Sequence, residues 1–257
     1  MKRLLVTGAT GALGSEVVHV AEAAGRQVRS MSRHAKPTGS EADWAQADVL
    51  TGEGLEAAVR DVQTIIHCAS NSQHNALEVE RDGTANLLAA ARQSGVGHVV
   101  YISIVGIDGS DYDYYRAKLA GEAAIAAGGV PYTTVRMTQF HSLIDVLLGM
   151  FLRRWALVVP FGWQFQPLAP AEAAAVLVDL TEQPAAGRVA DVGGPEVRSM
   201  RDMAAAWLAI RGDRRPILPI PTFDALSRAW RSGANLVPGN SYGVIRWEDW
   251  LQEKYGR

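Results

Sequence analysis

Val6-Thr7-Gly8-Ala9-Thr10-Gly11-Ala12-Leu13-Gly14 is the stretch on which the reading of this chain turns. It closes a short apolar run, Arg3–Thr7, sets three glycines at three-residue spacing, and opens directly into a helical pattern over Leu13–Ala24. In a strand–turn–helix of this kind each glycine has its own task. Gly8 permits the tight turn, Gly11 lets backbone approach a bound pyrophosphate, and Gly14 allows the helix to lie close on the strand. The unpaired N–H groups at the helix start then face the negative charge. Gly8, Thr10, Gly11, Ala12, Leu13 and Gly14 are therefore candidate phosphate-binding residues.

Outward from this loop the same rhythm recurs up to about residue 138: a short run rich in β-branched residues, a turn, then an Ala/Leu-rich stretch. Strands are predicted at Arg3–Thr7, Gln27–Ser32, Ala45–Asp48, Val62–Ala69, His98–Ser103 and Tyr132–Met137. Helices are predicted near Leu13–Ala24, Leu55–Arg60, Ala76–Ser94 and Tyr114–Ala127, with Gly25, Gly95 and Gly128 as left-handed exits. Strands joined through helices wind in one hand, so the fold class is α/β, a doubly wound parallel sheet of the Rossmann type. Beyond Met137 the rhythm lapses, and six of the seven tryptophans (Trp155, Trp163, Trp207, Trp230, Trp247 and Trp250) lie in this remainder. Residues 1–138 are read as a dinucleotide-binding domain and 139–257 as a smaller C-terminal substrate lobe packed on it. That lobe holds helices at Ala171–Thr181 and, behind the N-cap Ser199, Met200–Ile210. A strand near 188–192 is available to return to the sheet.

Composition narrows the partners. Twenty-five basic residues against 27 acidic ones, a net charge of -2, offer no footprint for nucleic acid or an anionic membrane. The apolar stretch from Leu143 to Leu152 is broken by Asp145 and is far short of the roughly 20 residues needed to span a bilayer. The one cysteine, Cys68, sits in an apolar run and reads as an inert buried thiol. The six histidines show no metal-ligand spacing, His67 reads as a satisfied core residue, and no metal is expected. A cytoplasmic protein acting on a small molecule is expected, with homo-oligomerisation left open.

The end of the second strand indicates which dinucleotide is bound. An NAD-preferring site carries an acid there for the ribose 2′-hydroxyl, whereas this strand ends Met31-Ser32-Arg33. The Arg33 fork and the Ser32 hydroxyl suit a 2′-phosphate, so NADP(H) is the expected cofactor. Arg29 and Lys36 are read as ordinary surface cations. Asp48, followed by Val49, closes the third strand and either accepts from the adenine amino group or caps the next turn. Glu172, at a helix start, is read as dipole stabilisation.

Tyr114 and Lys118 lie four apart on a predicted helix and share a face. An ammonium beside a phenol makes it a better proton donor to a carbonyl. Tyr115, three from Lys118, competes for the same role.

With the glycine loop, Asp82-Gly83-Thr84-Ala85-Asn86-Leu87-Leu88, Val99-Val100-Tyr101-Ile102-Ser103, Tyr114-Tyr115-Arg116-Ala117-Lys118-Leu119-Ala120-Gly121-Glu122 and Gly193-Gly194-Pro195-Glu196, nearly the whole chain resembles one family. It is similar to the NmrA-like group of atypical short-chain dehydrogenases/reductases, which includes isoflavone-reductase-like enzymes, quinone reductases and nucleotide-sensing regulators. Ala12 stands where the short-chain pattern has glycine, which points to the extended or atypical branch. The resemblance implies that Tyr114 donates the proton, that Lys118 assists it and holds ribose hydroxyls, and that Ser103 polarises the carbonyl. It also places Ala69 and Ser70 along the nicotinamide-side ribose and Thr138 at the carboxamide. The expected function is NADPH-dependent hydride transfer to a small carbonyl, enone or quinone, the alternative being a non-catalytic NADP(H) sensor.

Overall fold

The computed structural model describes residues 3–72, 74–108 and 110–256. Along them run β1 (Arg3–Thr7), α1 (Ala12–Ala23), β2 (Gln27–Ser32), β3 (Asp43–Gln46), α2 (Leu55–Ala58), β4 (Val62–His67), α3 (Ala76–Glu78), a π-helical turn (Val79–Gly83) and α4 (Thr84–Gln93). They are followed by β5 (His98–Ile104), α5 (Asp113–Ala127), β6 (Tyr132–Met137), α6 (His141–Phe151), β7 (Leu157–Pro160), β8 (Gln164–Phe165) and α7 (Pro170–Leu180). The remainder forms β9 (Gly187–Arg188), β10 (Arg198–Ser199), α8 (Met200–Ile210), β11 (Ile217–Ile220), α9 (Ala225–Ser232) and α10 (Trp247–Tyr255).

Seven strands form the main sheet in the order β3-β2-β1-β4-β5-β6-β9. β1 pairs in parallel with both β2 and β4, and the pairs β2–β3, β4–β5 and β6–β9 are parallel as well. The chain winds outward one way through β2 and β3 and the other way through β4 to β6, so the strand order reverses beside β1, where α/β sheets bind ligands. This is the doubly wound Rossmann-type sheet predicted above. Helices cover both faces, which is why the strands read as unbroken apolar runs: Leu4, Leu5, Val6, Ile65, Ile66, Val99 and Val100 are all fully buried. Leu5, Ile65, Val99 and Tyr101 lie on one face, in a core completed by Leu87, Leu88, Ala91 and Ile125.

Contacts divide the chain into two compact units, one of residues 3–103, 113–136 and 173–190, the other of 104–112, 137–172 and 191–256. The second has its own core, in which Ile144, Leu148, Phe165, Met203, Trp207, Trp230, Trp247 and Leu251 are buried. Trp163 and Trp230 meet edge-on there at 4.5 Å between ring centroids. Two small sheets, β8 with β10 and β7 with β11, accompany it.

Several boundaries differ from expectation, each for a local reason. The third strand is Asp43–Gln46, and Asp48 lies beyond it because its carboxylate accepts the Leu50 N–H at 2.7 Å and starts a turn. The helix predicted over Ala76–Ser94 is interrupted by the π turn. The left-handed residue after α5 is Gly129, not Gly128; a side chain at Gly128 would run into Leu88, so that glycine serves close packing instead. Glu172 does more than face a helix dipole: its carboxylate accepts the Val244 and Ile245 N–H groups at 2.5 and 3.1 Å. Ser199 caps α8 as predicted, its hydroxyl accepting from the Asp202 N–H. Among the described residues no helix is long and apolar enough to cross a membrane, and no cluster of His, Cys, Asp or Glu could hold a metal ion.

Candidate active site

The glycine loop is built from backbone. Gly8 is left-handed at φ +65°, and a Cβ there would press on the backbone of Cys68 and Ala69 at the end of β4. A Cβ at Gly14 would collide with the Gly8 carbonyl, so glycine at both positions is what lets β1, β4 and α1 converge. Gly11 is different: its φ of -80° suits any residue, and a Cβ would meet only the Gly8 carbonyl at 3.2 Å. Its requirement comes from what approaches it on the open side. α1 starts at Ala12 with no side-chain cap, so its first-turn N–H groups are left for an outside acceptor.

Beside this loop lies a cleft of about 300 Å³, lined by Gly8, Thr10 and Gly11, by Ser32, Arg33, Asp48 and Val49, and by Ala69 and Ser70. These nine predicted residues come together. Thr10 Oγ1 lies 3.3 Å from Ser32 Oγ, which also accepts the His34 N–H at 3.2 Å. Arg33 is exposed, and no ion pair engages its guanidinium among the described residues. Arg29, by contrast, is spent on Asp43 and on the last carbonyls around α2. The open backbone cradle, the uncapped helix start and the free cation at the β2 end fit a dinucleotide carrying phosphate. The volume is at the small end of the roughly 300–1,000 Å³ of ligand clefts and suits part of such a molecule.

The predicted catalytic residues are arranged otherwise than their spacing suggests. Lys118 is buried and donates to Glu80 at 3.3 Å (Oε1) and 3.2 Å (Oε2), its Nζ 4.2 Å above the Tyr101 ring centroid. Glu80, fully buried in the π turn, also accepts from Tyr101 OH at 2.5 Å and Ser70 Oγ at 2.6 Å. Burial works to raise the Glu80 carboxyl, but the Lys118 ammonium and the Ser70 and Tyr101 hydroxyls outweigh it and hold the group below the usual glutamate value. Burial, reinforced by Glu80, pushes the Tyr101 phenol well above the ordinary tyrosine range. Tyr114 reaches this cluster through Ser70, its OH 2.9 Å from Ser70 Oγ, while Tyr115 is buried. Ser103 shares the sheet face of Tyr101, and its buried hydroxyl has no hydrogen-bond partner among the described residues. Thr138 belongs to the second unit, where it donates to the Gln166 carbonyl at 2.5 Å and accepts the Gly194 N–H at 3.1 Å.

Glu80 and Tyr101 are the members that sequence reasoning missed. The signal available was Tyr101 itself, a phenol inside an apolar strand, which demands a buried partner. Gly121 was a second one: three residues after Lys118, it makes room for the Tyr101 hydroxyl.

His67, at the β4 end, is a satisfied core residue. Thr7 Oγ1 accepts the Cys68 and Ala69 N–H groups, both at 3.1 Å, so its one hydrogen goes to His67 Nδ1 at 2.7 Å. His67 Nε2 then carries the proton toward Thr84 Oγ1 at 3.1 Å, and burial lowers the ring to about 4. Cys68 is only partly buried and lines the cleft rather than sitting in the core, but desolvation still pushes its thiol up to about 12, which keeps it unreactive.

A family model described as NAD(P)H-binding matches residues 8–142, more than half of the chain. A (4-alkanoyl-5-oxo-2,5-dihydrofuran-3-yl)methyl phosphate reductase of Streptomyces griseus is 31% identical over 223 residues, 83% of this chain and 75% of that one. An uncharacterized protein of Mycobacterium tuberculosis is 33% identical over 102 residues, 39% of this chain, and the match spans 12% of that protein's length. Among solved structures, an NADPH-dependent quinone oxidoreductase of Escherichia coli complexed with NADPH superposes with a TM-score of 0.79 at 17% identity, covering 98% of this chain and 99% of that one. From the glycine cradle, the cleft beside it and the matched residues it follows that the chain belongs to the NAD(P)H-binding family.

Proposed function

We propose that the protein is an NADPH-dependent oxidoreductase that reduces a small carbonyl, enone or quinone, with Tyr114 as proton donor. The observation that carries this reading is the reach of Tyr114 to the cleft: its phenol meets Ser70, and Ser70 lines the same cleft as the glycine loop. Gly8, Thr10, Gly11 and the first-turn amides of Ala12, Leu13 and Gly14 hold the pyrophosphate. Ser32 and Arg33 take the 2′-phosphate, Asp48 and Val49 border the adenine, and Ala69 and Ser70 border the second ribose. When bound, the nucleotide supplies the hydride. Tyr114 supplies the proton, and Ser103, with a hydroxyl otherwise unspent, orients the acceptor oxygen. Residues 1–138 bind the nucleotide in this scheme, and 139–257 select the substrate. The reductase activity named for the Streptomyces relative supports the reaction class, and Arg33 supports the phosphorylated nucleotide.

One observation favours a second reading, a nucleotide sensor without turnover: the ammonium expected beside the phenol is committed to Glu80. Screening NADPH oxidation against quinones, enones and aldehydes separates the two. Reduction of any of them establishes the enzyme, and nucleotide binding with no turnover across the panel gives the sensor reading precedence. Calorimetric titration of both nucleotides tests the preference, with Arg33→Ala expected to weaken the phosphorylated one alone by about 1.5–3 kcal/mol. Equal affinities in the unaltered protein would overturn it.

A further inference from the structure

The hydrogens around Glu80 can be assigned by counting. An ionised carboxylate only accepts, so Ser70 spends its single hydrogen on Glu80 Oε1 at 2.6 Å. Ser70 Oγ can then only accept at its other contact, which makes Tyr114 the donor across their 2.9 Å. A directed path results: Tyr114 O–H to Ser70, Ser70 O–H to Glu80, with the far side of Glu80 closed by Tyr101 at 2.5 Å and Lys118 at 3.2 Å.

We propose that Ser70 and Glu80 are positioning residues for Tyr114, and that Lys118 acts on the phenol at one remove, as the counterion that keeps Glu80 charged. This rests on the reductase reading above. In the resting state Ser70 fixes the Tyr114 hydroxyl. When substrate binds, the Tyr114 hydrogen turns from Ser70 to the substrate oxygen, and as it is transferred the Ser70 hydrogen turns from Glu80 to the new phenolate. The O–H bond broken is that of Tyr114 and the bond formed is on the substrate, while the two electrons arrive as hydride from NADPH. Glu80 loses one donor of three and keeps Tyr101 and Lys118, so no buried charge is stranded. The phenolate is later reprotonated from solvent, since the Tyr114–Ser70 contact is exposed.

The test compares Ser70→Ala with Ser70→Thr. Loss of the switch is expected to lower kcat about 10–100-fold, part of the usual worth of a positioned general acid. Ser70→Thr keeps a hydroxyl and is expected to recover most of that rate. The solvent isotope effect on kcat should depend on deuterium fraction with curvature in the unaltered protein, where two hydrogens move, and linearly in Ser70→Ala. Full activity in Ser70→Ala, or equal damage in both variants, overturns the proposal. A readout independent of turnover keeps it apart from the reductase reading. The tyrosine Fermi doublet in the Raman spectrum, taken as the difference between the protein and Tyr114→Phe, distinguishes a donating from an accepting phenol. A donor signature that Ser70→Ala abolishes supports the path even if no substrate is reduced, and an acceptor signature overturns it even if one is.

Discussion

Two buried carboxylates, one in each unit, are met by the same kinds of donor. Glu80 receives Lys118, Tyr101 and Ser70; Asp145 receives Lys254 at 2.8 Å, Tyr255 at 2.8 Å and the Trp207 indole N–H at 2.6 Å. The lysines differ most. The Lys118 side chain is 4% exposed and the Lys254 side chain 43%. Asp145 fastens α6 to α8 and α10, and its cation stays in contact with water. Glu80 encloses its cation, and one of its donors opens onto the cleft. A carboxylate with three donors is thus a fastener when none of them opens onto a ligand cleft, and part of a site when one does.

The contrast should be largest when the carboxylates are removed. Glu80→Ala strands a buried ammonium and is expected to cost about 3–5 kcal/mol in urea unfolding. Asp145→Ala, which leaves Lys254 hydrated, is expected to cost only about 1–3 kcal/mol, the worth of unpaired indole and phenol groups. Equal losses would erase the distinction between the two carboxylates.

The two buried histidines sharpen it next. His67 in the first unit is bonded at both ring nitrogens, whereas His141 in the second, beside the stacked Trp247 and Trp250, is bonded at neither among the described residues. Burial lowers both to about 4. A histidine held neutral in the fold is protonated more readily when unfolded, so its stabilising contribution is complete above about pH 6.5 and lost as the pH falls toward 4. His67→Phe orphans the Thr7 and Thr84 hydroxyls and should cost about 1–3 kcal/mol at neutral pH. His141→Phe leaves no partner orphaned and should be near neutral there while flattening the decline between pH 6.5 and 4. Unfolding of both variants followed across that range decides the matter, and a steep decline retained in His141→Phe would refute it.

Smallest is the exposed cation. Lys254→Met should cost only about 1 kcal/mol, because the Lys254 ammonium is hydrated and Asp145 keeps the Trp207 and Tyr255 donors. Lys118→Met should unfold far more readily, because it leaves Glu80 charged and unpaired in the core. Parallel melts of the two variants provide the check.

How far these features were legible in the sequence depends on how local their causes are. The β1–loop–α1 unit was readable because Gly8 and Gly14 are demanded by contacts within a few residues and the neighbouring strand. The cleft residues Ser32 and Arg33 followed, since they stand at the end of a strand whose period could be counted; Asp48 was reached by the same count, although its strand stops two residues earlier, at Gln46. Glu80 was not legible: on a helix a buried glutamate has the same local pattern as a surface one, and its donors arrive from 10, 21 and 38 positions away. The Tyr114 and Lys118 spacing correctly put both on one helix face but could not show that a carboxylate from another element holds the ammonium. In the second unit α8 was read with its cap, but the short strands and the helices α6, α9 and α10 escaped because their order comes from tertiary packing around tryptophans rather than from periodicity.

The π turn at Val79–Gly83 works as an offset in a gear train. An α-helix advances about 100° per residue, so Leu77, seven before the buried Thr84, would fall on the stripe formed by Thr84, Leu87, Leu88 and Ala91 if the helix were regular throughout. Leu77 is instead 41% exposed, while Asn75 and Val79 line the cleft. The wider turn has slipped the upstream residues by roughly a quarter revolution relative to the core. Excising one residue from it would re-engage the teeth: Leu77 would rotate into the sheet, and the wall that Asn75 and Val79 give the cleft would turn away with no change of side chain at either position.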